Sequence, residues 1–190
     1  MIPMTAQSAL ELATQIRLRS AARGRRDLDH LKLQKLCFYA YGVALGMGVA
    51  GELGSIEFEA WRHGPVSRAV WDAFKGYGAE PLPLADWAPD YGDRSLQQAL
   101  DDVIDVYGRM TAWGIRCESH LEEPWIRAAR ERRSLDPEEI RTHFQRKLAR
   151  GCITLPVYSS GAQSAALDGI PQARFQTFHE LAEALRLRAA

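Results

Sequence analysis

The sequence predicts a mainly α fold: a compact helical domain with a small β element, followed by a C-terminal extension. Three observations carry this reading. Apolar residues recur every three or four positions through most of the chain, the period of helices with one buried face. Residues 56–60 alone alternate apolar and acidic side chains, the period of a short half-buried strand. After Gly151 the composition turns to Ser, Gly and Ala, as in a linker. An α+β arrangement with a minor sheet is the alternative. The boundary is placed between a domain over residues 1–150 and an extension over 151–190.

The first helix is expected over 5–22, started by Thr5 or by the Ser8/Glu11 capping-box spacing, with Leu10, Ala13, Ile16 and Leu12 inward. A basic connector over 23–28 leads to the stretch around which the chain is organised, residues 31–78. There Leu33, Leu36, Ala40, Val43 and Met47 fall on one helical face. Asp29 is placed to cap the start, and Gly46, Gly48 and Gly51 punctuate the end. The strand follows, with Ile56, Phe58 and Ala60 against Glu57 and Glu59. His63, Gly64 and Pro65 turn the chain, and Pro65 pre-sets the entrance of a helix carrying Val66, Val70, Ala73, Phe74 and Tyr77 on its inner side. Residues 79–94 read as a loop. A helix then starts at Ser95, with Gln98 at capping-box spacing. Its apolar stripe runs through Leu96, Ala99, Leu100, Val103, Ile104 and Tyr107, and Asp101, Asp102 and Asp105 lie on the opposite face. Thr111 caps a short helix, Pro124 sits in the first turn of the next, and Asp136-Pro137 opens a helix to about residue 150. The extension begins with an extended segment, continues as a linker over 159–173, and ends in an amphipathic helix over 175–188.

The chain has 190 residues, of which 46% are apolar and 25% charged, the composition of a soluble globular protein. Its formal net charge is zero, so no global field draws it to nucleic acid or acidic lipid. Arginines cluster at 17–26 and again at 127–133, but without interleaved aromatic residues or a helix-turn-helix, zinc-finger or basic-zipper pattern. Nucleic acid is therefore not expected as a partner. No apolar run is long enough to span a membrane, and no secretory signal is read at the N-terminus. Cys37, Cys117 and Cys152 are too widely spaced for a redox or metal pair, which fits a reducing cytoplasm, and Cys37 reads as a small buried hydrophobe.

Three blocks carry a resemblance. Leu33-Gln34-Lys35-Leu36 lies on the organising helix. Glu59-Ala60-Trp61, two further residues and Gly64-Pro65-Val66 form the turn. His120 precedes Pro124-Trp125. In this order they resemble the Panacea-domain antitoxin family, over roughly residues 5–133 but not over the extension, and the likeness is strongest to SocA-type proteolytic adaptors. The resemblance implies an antitoxin that binds a cognate, SocB-like protein toxin and delivers it to ClpX within the ClpXP protease. Masking the toxin without proteolysis is the alternative it leaves.

The candidate partner-binding residues follow. Trp61, Arg62 and His63 form an edge beside the turn, with His120 and Trp125 in the third block. Trp and Arg are the residues that dominate protein interfaces. Phe178, Leu181 and Leu185 line the apolar face of the last helix, which is marginal alone and must dock on the body or on a partner. A structural role in the turn is the other reading of Gly64 and Pro65, as packing is of Trp61 and Trp125. A metal-dependent hydrolase using His63 and His120 with Cys117 and Glu118 is a rival, as is a DNA-binding regulator. Neither has a supporting motif, since no His-Glu-x-x-His and no paired Cys occurs. No catalytic residue, metal or cofactor is assigned, and the chain is expected not to be an enzyme. The terminal Ala189-Ala190 resembles a small apolar tag of the kind ClpX engages, and the arginines at 23–26 and 130–133 are the other candidates for that contact.

Overall fold

The computed structural model describes residues 4–151 and Ile153. The linker and helix expected over 159–188, with Phe178, Leu181 and Leu185, lie outside the described residues, as does Ala189-Ala190. Within the described residues the protein is mainly α with a small β element, as the sequence predicts. The helices are α1 (Met4–Ala22), α2 (His30–Met47), α3 (Arg68–Phe74), α4 (Arg94–Tyr107), α5 (Ala112–Ser119), α6 (Glu123–Glu131) and α7 (Pro137–Ala149). Strands β1 (Glu59–Trp61) and β2 (Gly64–Val66) pair antiparallel, Glu59 opposite Val66 and Trp61 opposite Gly64.

α2 is the axis of the molecule. Asp29 caps it, accepting from the Lys32 amide at 2.7 Å, and Gly48 ends it in the left-handed conformation. The sequence reads it as amphipathic. Instead, every residue from Lys32 to Ala44 is buried, and Met47, assigned to the inner face, is 41% exposed. The reason is that α1, α3, α4, α5, α7 and β2 all contact this helix, so it has no solvent face over its middle turns. Gly42 and Gly46 let α7 approach closely. A Cβ on Gly42 would lie 2.3 Å from the Phe144 ring, and one on Gly46 2.9 Å from the Gln145 backbone nitrogen. Gly46 is therefore a packing residue inside the helix, not punctuation at its end. Phe38 meets Phe58 and Phe144 edge-on, and Tyr39 stacks on Tyr107 at 3.9 Å.

Other local expectations change for equally specific reasons. α1 begins at Met4, which leaves Ser8 and Glu11 inside the helix, and Leu12 rather than Leu10 is fully buried. α4 is capped by Asp93, whose carboxylate accepts from the Ser95 and Leu96 amides, while Gln98 donates to Asp102. Asp102 is itself buried. Asp101 and Asp105 are not a free acidic face: Arg19 pairs with Asp101 at 2.6 Å, and Arg23 with Asp105 at 2.7 Å. Thr111, Pro124 and Asp136 take the helix-start positions the sequence assigns. Ile56 and Phe58 are buried and Glu57 exposed, so the alternation holds, although the paired strand is shorter and starts only at Glu59. Pro65 and Val66 belong to β2 rather than to a helix entrance, α3 starts at Arg68, and Ala73 and Tyr77 face outward. A three-residue strand of Gly, Pro and Val has no period to read; only its pairing with β1 defines it.

Candidate partner-binding site

β2 is paired on one side only, and the backbone groups on its other side are buried beneath the hairpin. Such groups cost free energy unless bonded. Two adjacent residues of α2 satisfy them. The Gln34 amide accepts from the Ser67 N–H at 2.9 Å and donates to the Ser67 carbonyl at 3.2 Å, as a neighbouring strand would. Lys35 Nζ donates to the Pro65 carbonyl at 2.8 Å. The polar pair inside Leu33-Gln34-Lys35-Leu36 thus pins the Gly64–Val66 strand to the central helix.

Lys35 is fully buried. Burial, and secondarily the charge of Arg116, push its amine down to about 7. Gly64 closes over it with φ +95°; a Cβ there would meet Ser119 Oγ at 2.5 Å and Lys35 Cε at 2.9 Å. The third block braces the hairpin from outside. His120 stacks on Trp125 at 4.2 Å, and Trp125 Nε1 donates to the Trp61 carbonyl at 3.2 Å. Burial, with the charges of Arg116 and Lys35, lowers the His120 pKa, and its Nε2 is enclosed without a hydrogen-bond partner. At the tip, Arg62 and His63 are exposed, and Arg116 Nε donates to His63 Nδ1 at 3.1 Å. Trp61 Nε1 donates to Glu59 at 2.7 Å, and the Arg68 guanidinium lies 4.6 Å over the Trp61 ring.

The sequence candidates Trp61, Arg62, His63, His120 and Trp125 are therefore neighbours on and around one hairpin. Of the residues that fix that hairpin, Gln34 and Lys35 stand in the first block of resemblance without a role of their own, and Arg68 and Arg116 have no sequence signal. A Gln-Lys pair in the middle of a run of apolar residues was the available signal, because polar side chains that cannot reach water must be bonded.

A second buried polar group lies one helical turn further along α2, where Tyr39 meets Glu122. Glu122, 2% exposed, accepts from Tyr39 Oη at 3.0 Å and Lys147 Nζ at 2.7 Å, and bonds His143 Nε2. Burial raises its carboxyl pKa, but the hydrogen bond to His143 and the charge of Lys147 outweigh burial and hold it below the ordinary value. Among the described residues no group of three His, Cys, Asp or Glu side chains is arranged to hold a metal ion. Cys37 is buried, and burial pushes its thiol pKa far up.

Residues 33–126 match the family model described as antitoxin SocA-like, Panacea domain. The match runs from α2 through the hairpin to the start of α6 and so contains all three blocks. The chain is also 33% identical over 122 residues to the bifunctional enzyme IspD/IspF of Erythrobacter litoralis (strain HTCC2594), a stretch covering 63% of this chain. It spans about a quarter of that relative, 28% of its length. No solved structure matches the chain.

Proposed function

We propose that this chain, whose residues 33–126 match the model of SocA-like, Panacea-domain antitoxins, binds a cognate protein toxin and acts as a proteolytic adaptor delivering it to ClpXP. One observation supports this most: the three blocks that carry the family likeness converge on a single hairpin whose tip, Trp61-Arg62-His63, is pinned from beneath by Lys35 and braced from outside by Trp125. Trp61, held by Glu59 and by the Arg68 guanidinium over its ring, suits an interface hot spot, because less side-chain entropy is lost on binding. In this role no bond is broken by the chain. It offers one surface to the toxin and another to the unfoldase, and raises their effective concentration. The partner is a SocB-like toxin, and the compartment is the cytoplasm, where ClpXP acts; among the described residues no helix is long and apolar enough to cross a membrane.

Masking of the toxin without proteolysis needs only the first surface, and a reconstituted degradation assay separates the two. With toxin, ClpXP and ATP, adding this protein should shorten the toxin's half-life, and protection of cells should vanish when ClpX is deleted. Toxin degraded equally fast with and without it removes the adaptor and leaves masking. A toxin from the neighbouring reading frame that neither binds this chain nor is neutralised by it removes both.

A further inference from the structure

Along the hairpin and the helices beside it, tryptophans and cations alternate. Lys75 Nζ lies 4.4 Å from the Trp71 ring centre, Arg68 lies 4.6 Å from Trp61 and 5.8 Å from Trp71, and Arg116 lies 4.3 Å from Trp113. Trp61 and Trp71 are themselves 5.3 Å apart. The hairpin tip joins the two halves, since His63 accepts from Arg116 on one side and follows Trp61 and Arg62 on the other. Trp61, Arg68, Trp71 and Lys75 fall within residues 61–75, whereas Trp113 and Arg116 come from α5, so only the fold joins the two halves.

The strip carries excess positive charge on a chain whose net charge is zero. Glu59 answers Arg68 and Asp72 answers Lys75. Among the described residues, Arg62 and Arg116 form no ion pair with a carboxylate. Trp113 is 60% exposed. A cation resting on an indole keeps its outward N–H groups free and its side chain ordered, so it can meet a carboxylate at low entropic cost. Nucleobase stacking needs open aromatic faces, whereas Trp61, Trp71 and Trp113 each already carry a cation over the ring. The geometry points to an acidic segment of a protein partner as the occupant: chain bearing Glu or Asp side chains to meet those outward N–H groups, with apolar residues between them beside the exposed Trp113. This rests on the antitoxin reading only in taking that partner to be the toxin.

The test uses the full-length protein and fluorescence anisotropy with three labelled probes: a peptide of alternating Glu and Leu, its Gln–Leu counterpart, and an oligothymidylate of the same net charge as the acidic peptide. The acidic peptide should bind best, and its binding should fall as salt rises from roughly 50 to 300 mM. Arg116→Gln and Trp113→Ala should each weaken it about threefold, and the pair about tenfold, the scale of exposed cation–π and ion-pair contacts. Thermal melts check that both variants fold, and the exposure of Trp113 makes it the safer of the two. Equal binding of the Gln–Leu peptide, or folded variants that bind as wild type does, overturns the proposal. Tighter binding of the oligothymidylate assigns the strip to single-stranded nucleic acid, and self-association lost in Arg116→Gln assigns it to a second copy; either overturns it. No outcome involves toxin or ClpXP, so failure here leaves the antitoxin reading standing, and failure of the degradation assay leaves the strip.

Discussion

Gly64 holds φ at +95° directly above Lys35, and no side chain fits there, since a Cβ would sit 2.5 Å from Ser119 Oγ. Gly64→Val should therefore lower stability by about 3 kcal/mol, the upper range for backbone strain, with the clash added. An unchanged urea midpoint would refute this. Lys35 gives a pH signature. Its folded pKa of about 7 lies below the ordinary lysine value of about 10.4. Between those values the unfolded chain binds more protons, so this residue makes stability rise with pH across that window. The cost of burying the ammonium is complete below about 7 and gone above the ordinary value. In Lys35→Met the titration is removed. Wild type should therefore gain stability relative to the variant as pH is raised from about 7 to about 10 in denaturant titrations. A difference that stays constant with pH would show that Lys35 is not held in this environment.

At the scale of elements, buried side chains from α2 tie together parts that backbone bonding leaves separate. Gln34 takes both backbone groups of Ser67, just after β2, while Tyr39 reaches Glu122 at the start of α6, to which Lys147 of α7 also donates. One carboxylate thus joins α2, α6 and α7. Its lowered pKa means that the ionised form is stabilising above the ordinary glutamate range and that this contribution is lost as pH falls through and below it. Glu122→Leu should cost about 3–5 kcal/mol, because it leaves Lys147 and His143 without their acceptor. It should also flatten the acid side of the stability profile, as read by denaturant midpoints from near-neutral to acid pH. A loss below about 1 kcal/mol would mean that the network is incidental.

For the whole molecule, charge is arranged more than it is absent. Arg19 of α1 and Arg23 just after it are taken up by Asp101 and Asp105 of α4, and Arg133 by Glu131 and Glu139, so much of the two arginine clusters is paired within the fold. That weakens both as candidates for unfoldase contact and leaves Arg25, Arg26, Arg130 and Arg132 to be tested. Phe178, Leu181 and Leu185 of the extension remain candidates for contact with the toxin. Ile153 is buried in the core, so a truncation that tests the extension should end after Pro156, not at Arg150. The shortened chain should melt cooperatively near the full-length temperature and bind toxin more weakly. Insolubility, or unchanged toxin affinity, would remove the extension from recognition.

The helices were legible because their signals are local: the apolar periods, the Asp29, Thr111 and Asp136 caps, and the Pro124 position all act within a few residues. The period could also place Leu33, Leu36, Ala40 and Val43 together. It could not show that α2 has no outer face, because that depends on how many other elements surround it. Nor could it show β2, whose only warrant is its partner strand, or the Trp–cation strip, whose two halves, at residues 61–75 and 113–116, lie far apart in the chain. The sequence by itself determined the helical class, most of the helix ends and the three blocks of family likeness, since these rest on spacing along the chain. Tertiary structure alone decided that Gln34 and Lys35 hold the hairpin, that His120 and Trp125 brace it, and which arginines stay unpaired, since burial and charge partners are set by what the fold brings alongside.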